Sequence, residues 1–149
     1  MKTVPILTTS WTVAWRAHKA NDRSVVPGRI SVGAPRFWPG SGKLPGIQEL
    51  KPLDGLMRIE DLAEFERRYL ERLDRIGLDQ IQARLQAIYV EHGGPLALCC
   101  FEPPGVFCHR RLAAMWIEEK TGQEIPEIAN LPTTNTLQSG QLQLRGEQR

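Results

Sequence analysis

Residues able to do chemistry crowd the stretch from 99 to 111: Cys99, Cys100, Glu102, Cys108, His109, Arg110 and Arg111, with Pro103, Pro104 and Gly105 between the two halves. Three chemistries suit them. In the first, Cys108 is a nucleophile. A cysteine at a helix amino end beside His and Arg can have its pKa lowered to roughly 3.5–7.5, which makes thiolate available at neutral pH. His109 is the other reactive candidate, as general acid or base, with Glu102 as a further acid/base group. No definite third member of a triad accompanies them. The phosphatase spacing of Cys, five residues and Arg also fails, because Ala114 stands where the Arg belongs. In the second chemistry, Cys100, Cys108 and His109, with Glu102, bind zinc. The residue types are right, although the spacing is not that of a finger or a ribbon. In the third, the cysteines are inert core residues, since free Cys is among the most buried residue types. Arg110, Arg111 and the helix amino end then hold an anion, and Glu102 orients Arg110. The third is the working expectation, with Cys108, His109 and Glu102 as the groups that would carry any reaction.

These groups need a strand, a turn and a helix to position them. Residues 96–101 are continuously apolar, which predicts a strand covered on both faces. Alternation then puts Leu98, Cys100 and Glu102 on one face and Cys99 and Phe101 on the other. Pro103, Pro104 and Gly105 stop the strand and turn the chain. A helix is predicted from about Cys108, with Leu112, Ala113, Trp116 and Ile117 as its apolar stripe and Gly122 as its cap. Its first turn holds His109, Arg110 and Arg111, where the helix dipole disfavours cations by roughly 0.3–1 kcal/mol each. A bound anion or the Glu102 carboxylate would remove that penalty; otherwise the arginines turn into solvent.

Cys100-Phe-Glu102, a short turn, and Cys108-His-Arg110 opening a helix resemble the domain-of-unknown-function-488 family of small bacterial and phage proteins. The resemblance extends upstream to Arg29-Ile-Ser-Val-Gly-Ala-Pro-Arg-Phe-Trp38 and Leu50-Lys-Pro52, and downstream to Trp116-Ile117 and Glu124-Ile-Pro-Glu127. It spans roughly residues 26–128 and leaves out both ends of the chain. The resemblance implies an α/β fold and brings no established activity.

At 149 residues the chain is one domain long, enough for a single sizeable core. The net charge of +2 is too small to make a nucleic-acid binder by itself. The charge is uneven, however: residues 1–52 hold eight Lys and Arg against two Asp and Glu. Three cysteines, two of them adjacent, make no disulfide framework. The first nine residues lack a signal-peptide pattern, and no stretch approaches a membrane span. The expectation is a cytoplasmic, reduced protein that does not engage a membrane.

Residues 3–8 read as a first strand, with Pro5 favouring an edge. Residues 9–20 follow as a short helix or structured loop that puts Trp11 and Trp15 on one face, among Arg16, His18, Lys19 and Arg23. Basic residues among aromatics suit base stacking; packing of the tryptophans on the core is the preferred reading. Residues 29–32 read as a second strand. The loop after it carries Arg36 and Trp38, expected on the rim of the same pocket because loops at strand ends carry sites in α/β sheets. Gly40-Ser-Gly-Lys43 is rejected as a phosphate loop, since Phe37 and Leu44 break the motif. Residues 58–76 and 79–91 read as amphipathic helices, the second capped by Asp79. A final strand is expected near 124–128. The fold class is a single α/β domain over residues 1–129, a Rossmann-like three-layer arrangement with a mostly parallel central sheet flanked by helices. A polar tail follows over 130–149, with at most a brief strand at 142–144.

The function expected is recognition of a small anionic ligand such as a nucleotide or nucleic-acid end, with turnover if a cysteine or His109 reacts. Arg110, Arg111, Arg36, Trp38 and Cys100 would hold the ligand. The competing class is a non-enzymatic accessory protein that binds nucleic acid through its basic first part. No cofactor is legible in the sequence.

Overall fold

The computed structural model describes residues 3–131. The tail expected over 130–149, with its strand at 142–144, lies almost wholly outside them. In chain order the elements are β1 (Ile6–Ser10), α1 (Trp11–Lys19), β2 (Val26–Arg29), α2 (Leu62–Ile76), α3 (Leu78–His92), β3 (Leu96–Cys100) and α4 (His109–Thr121). The three strands form one parallel sheet in the order β1-β3-β2. The chain is therefore α/β in class.

β3 is the central strand because all five of its residues are apolar and buried. A strand covered on both faces has no polar side to turn outward. Its faces divide as alternation predicts. Leu96 and Leu98 join Ile6 in a cluster with Tyr69, Leu73, Ile81, Leu85, Leu112 and Ile117, drawn from α2, α3 and α4. Ala97 and Cys99 join Leu7 on the other face, packed against Trp11, Ala14 and Trp38. The apolar stripe read for α4 packs in the first of these clusters, and so do the apolar stripes of α2 and α3 with the exception of Leu62.

Ser10 ends β1 and opens α1, where its hydroxyl accepts from the Val13 N–H at 3.2 Å. β2 starts earlier than the sequence suggested, at Val26, and includes Pro27 and Gly28. Proline is tolerated because β2 lies at the sheet edge. Gly28 serves close approach: a Cβ there would come within 2.9 Å of Ile47 Cδ1. Ile30 and Ser31, expected in the strand, begin the loop that follows it.

Three further expectations are corrected. α3 is capped by Gly77, with no side-chain cap, and Asp79 lies in its first turn. The charged face of α2, which an amphipathic helix is expected to turn wholly to water, is not uniformly solvated. Arg72 is buried and donates to the carbonyls of Glu49 at 2.6 Å and Gln48 at 3.1 Å, tying the helix to the loop before it. The segment expected as a final strand makes only a single parallel bridge, Glu127 to Thr8, on the free edge of β1. Among the described residues no helix is long and apolar enough to cross a membrane.

Candidate functional site

The turn between β3 and α4 brings Cys100 and Cys108 together at the floor of a cavity of about 370 Å³. The strand delivers Cys100 as its last residue, and Cys108 is the cap of α4. Their sulfurs are joined in a disulfide. This corrects the expectation that all the cysteines are free thiols. Residues eight apart on either side of a Pro-Pro-Gly turn meet because strand and helix both end at the turn. Cys99 alone is free, fully buried on the opposite face of β3. Burial pushes its thiol up to about 12, so it remains protonated and inert at neutral pH.

His109 stands beside the pair. Its Nδ1 lies 3.7 Å from Cys108 Sγ, and its Nε2 is 2.5 Å from the Ile30 carbonyl oxygen. A carbonyl only accepts, so Nε2 carries the proton and Nδ1 presents a lone pair towards the sulfurs. Burial is the main cause that pushes the His109 pKa down, to about 4. The Ile30 hydrogen bond opposes that fall, and the charge of Arg110 adds to it. The imidazole is therefore neutral at physiological pH.

Glu102 lines the same cavity, with Oε1 3.8 Å from Cys100 Sγ. The expected convergence of Cys100, Glu102, Cys108 and His109 is present. The expected ion pair of Glu102 with an arginine is not. Arg110 is fully buried and pairs with Glu127, Nη2 to Oε2 at 2.7 Å and Nε to Oε1 at 3.0 Å. Its Nη1 donates to Cys100 Sγ at 3.1 Å. Arg111 donates to the Thr8 hydroxyl at 2.8 Å and the Ile125 carbonyl at 3.0 Å. The cations that break the helix-dipole rule are thus satisfied by the segment bridged to β1, and neither lines the cavity. Burial raises the Glu127 pKa, but the bonds from Arg110 and Thr8 and the arginine charges outweigh it and hold the carboxyl below its usual range.

Arg36 and Trp38 do not reach this site. The loop after β2 lines the cavity with Ser31, Val32 and Gly33, then leaves it. Trp38 is buried on the opposite face of the sheet, its ring 6.0 Å from that of Trp11 and 5.1 Å from that of Trp15. Arg36 is exposed. Large aromatic surfaces are driven inside wherever a face can take them, and the α1 face takes three tryptophans.

The walls are apolar and were not anticipated as site residues. Met57, Ile59, Leu62, Phe65 and Phe107 line them. Phe65 and Phe107 meet edge to face with centroids 6.2 Å apart. Phe101, expected on the far face, also lines the cavity, because β3 ends at Cys100 and alternation ends with it. Leu62 is 58% exposed although it begins the apolar stripe of α2. Nothing in the sequence marked this wall, because helical periodicity reads Leu62 and Phe65 as core-facing residues of α2. Glu127 was legible only as part of the Glu124–Glu127 segment of the family resemblance. Thr8 and the Ile30 carbonyl carried no local signal.

Compared with family models, curated proteins and solved structures, the chain matches none.

Proposed function

We propose that the protein carries out thiol–disulfide exchange on a small ligand. The ligand's apolar body would lie against Leu62, Phe65 and Phe107, and its sulfur would meet the Cys100/Cys108 couple. One observation carries the reading. Two cysteine sulfurs meet at the floor of a cavity, one held by Arg110 Nη1 at 3.1 Å and the other 3.7 Å from His109 Nδ1. In a reducing cytoplasm the couple would stand as two thiols. The amino end of α4 favours thiolate at Cys108, and Arg110 favours it at Cys100. Cys108 thiolate attacks a disulfide R–S–S–R′, forms Cys108–S–S–R and expels R′S⁻. Cys100 thiolate then attacks Cys108 Sγ, expels RS⁻ and restores the Cys100–Cys108 bond. The ligand gains two electrons and two protons, and the protein loses them.

A second reading is the small anion, such as a nucleotide or nucleic-acid end. It is favoured by the position of the cavity at the carboxyl ends of β2 and β3, where open α/β sheets bind ligands. With Arg110 and Arg111 engaged, the anion would meet the amino end of α4. The relationship to the domain-of-unknown-function-488 family and the three-layer Rossmann-like arrangement belong to the same proposal, and rest on the Cys-x-Glu and Cys-His-Arg motifs and the parallel sheet.

Mass spectrometry after thiol alkylation tests the exchange reading. In the folded oxidised protein no cysteine should label. After reduction Cys108 should label fastest, Cys100 next, and Cys99 should stay unlabelled. With a small aromatic disulfide, Cys100→Ser should accumulate the mixed disulfide on Cys108. The idea fails if reduced wild type leaves that disulfide untouched.

A further inference from the structure

We propose that the reduced site is also a metal centre of the zinc class, with Cys100 Sγ, Cys108 Sγ and His109 Nδ1 as ligands and a fourth position open to the cavity. The inference rests on the reading above only in taking the Cys100–Cys108 bond to be reducible.

The three ligand atoms all lie within 4.8 Å of one another. A tetrahedral ion with bonds of about 2.3 Å to sulfur and about 2.0–2.1 Å to nitrogen holds its donors about 3.5–3.8 Å apart, so on reduction the two bonded sulfurs must part while Nδ1 keeps its place beside them. The Cα atoms of Cys100 and Cys108 are 7.5 Å apart, which leaves the reduced sulfurs room to part and hold an ion between them. His109 has the orientation a ligand needs. The Ile30 carbonyl accepts from Nε2, which directs the Nδ1 lone pair at Cys108 Sγ. A hydrogen bond on the far ring nitrogen is what fixes tautomer and ring angle in metal-bound histidines. Arg110 Nη1, 3.1 Å from Cys100 Sγ, favours the thiolate that a metal requires.

Two thiolates and an imidazole select zinc over magnesium or calcium, which prefer all-oxygen sites. Three protein ligands and an open side are the pattern of catalytic zinc sites, whereas structural ones are closed by four. The open side here faces the cavity lined by Cys100, Cys108, His109 and Glu102. A ligand's anionic end would bind the ion there. The open coordination position would thus give an anion a Lewis-acid partner that Arg110 and Arg111, both engaged elsewhere, do not provide.

The test uses the full chain reduced with a phosphine, which takes an oxygen atom from water while the disulfide gains two hydrogens. Free thiols are counted after unfolding, and Co²⁺ is then titrated into the folded protein without oxygen. The expected result is three thiols and one Co²⁺ per chain, with thiolate-to-cobalt charge transfer and the intense d–d bands of a four-coordinate ion. Zn²⁺ should displace it. His109→Gln should weaken Co²⁺ binding by about tenfold or more, and Cys100→Ser/Cys108→Ser should abolish the charge-transfer band. Three thiols with no such band in wild type overturn the metal site and leave the exchange reading standing. A band that survives the double substitution overturns it too. One thiol after reduction overturns both. A band in a protein that never reoxidises with disulfides removes only the exchange reading.

Discussion

His109 shows how burial decides what a residue can do. It was read as a reactive acid or base, but its neutral form is the one the site holds. Its folded pKa is about 4 against an ordinary 6.5. Between those values the unfolded chain binds a proton that the folded chain refuses. Stability should therefore be fully present above about pH 6.5 and fall as pH drops towards 4, by on the order of 3 kcal/mol in total. Denaturant titrations of the oxidised protein across this range measure it. His109→Gln should flatten the upper part of the slope. Below about pH 5 Glu127 adds to the loss, since its depressed pKa gives stability that is lost as pH falls through the carboxylate range. An unchanged slope in the variant between pH 5 and 6.5 would refute the assignment.

At the scale of elements, the amino end of α4 carries the argument. Its cations stand where the dipole disfavours them, and the reason they are tolerated is tertiary. Glu127, on the segment bridged to β1, neutralises a guanidinium with no exposed surface. Removing one partner of a buried pair leaves a charge without compensation, whereas replacing both with apolar groups is often neutral. Glu127→Gln should thus destabilise the fold by about 3 kcal/mol, somewhat discounted because Glu127 is itself partly exposed. Arg110→Met combined with Glu127→Gln should recover part of the loss. A loss under about 1 kcal/mol for the single variant, within the range of surface pairs, would show that the pair contributes little.

For the molecule as a whole, the tryptophans of the basic first part pack inward. Trp11 and Trp38 are buried, and Trp15 packs against Trp38 and His18. With the tryptophans turned inward, any affinity for nucleic acid is expected to come chiefly from phosphate contacts and to fall steeply with salt. A single-stranded oligonucleotide should leave tryptophan fluorescence unquenched at every salt concentration at which it binds. Salt-sensitive quenching would place a tryptophan at the interface and restore the accessory-protein reading.

The sequence by itself determined the local grammar. Periodicity of apolar residues placed three of the four helices and the buried faces of each. The continuous apolar run of residues 96–101 marked the buried strand, which ends one residue earlier at Cys100, and the Cys-x-Glu and Cys-His-Arg motifs marked the candidate site. These are legible because helix and strand periods depend on neighbours within a few residues. Tertiary structure decided the partners. The Cys100–Cys108 bond, the Ile30 carbonyl on His109, Glu127 on Arg110 and the Phe65–Phe107 wall all join residues from different elements. The basic residues beside the cysteines read as ligands for an anion, whereas in the fold Arg110 and Arg111 are engaged by Glu127, Thr8 and Ile125. Charge in a sequence is a property of residues, but free charge is a property of the fold, because a counter-ion 17 positions away becomes a neighbour only when the chain closes on itself.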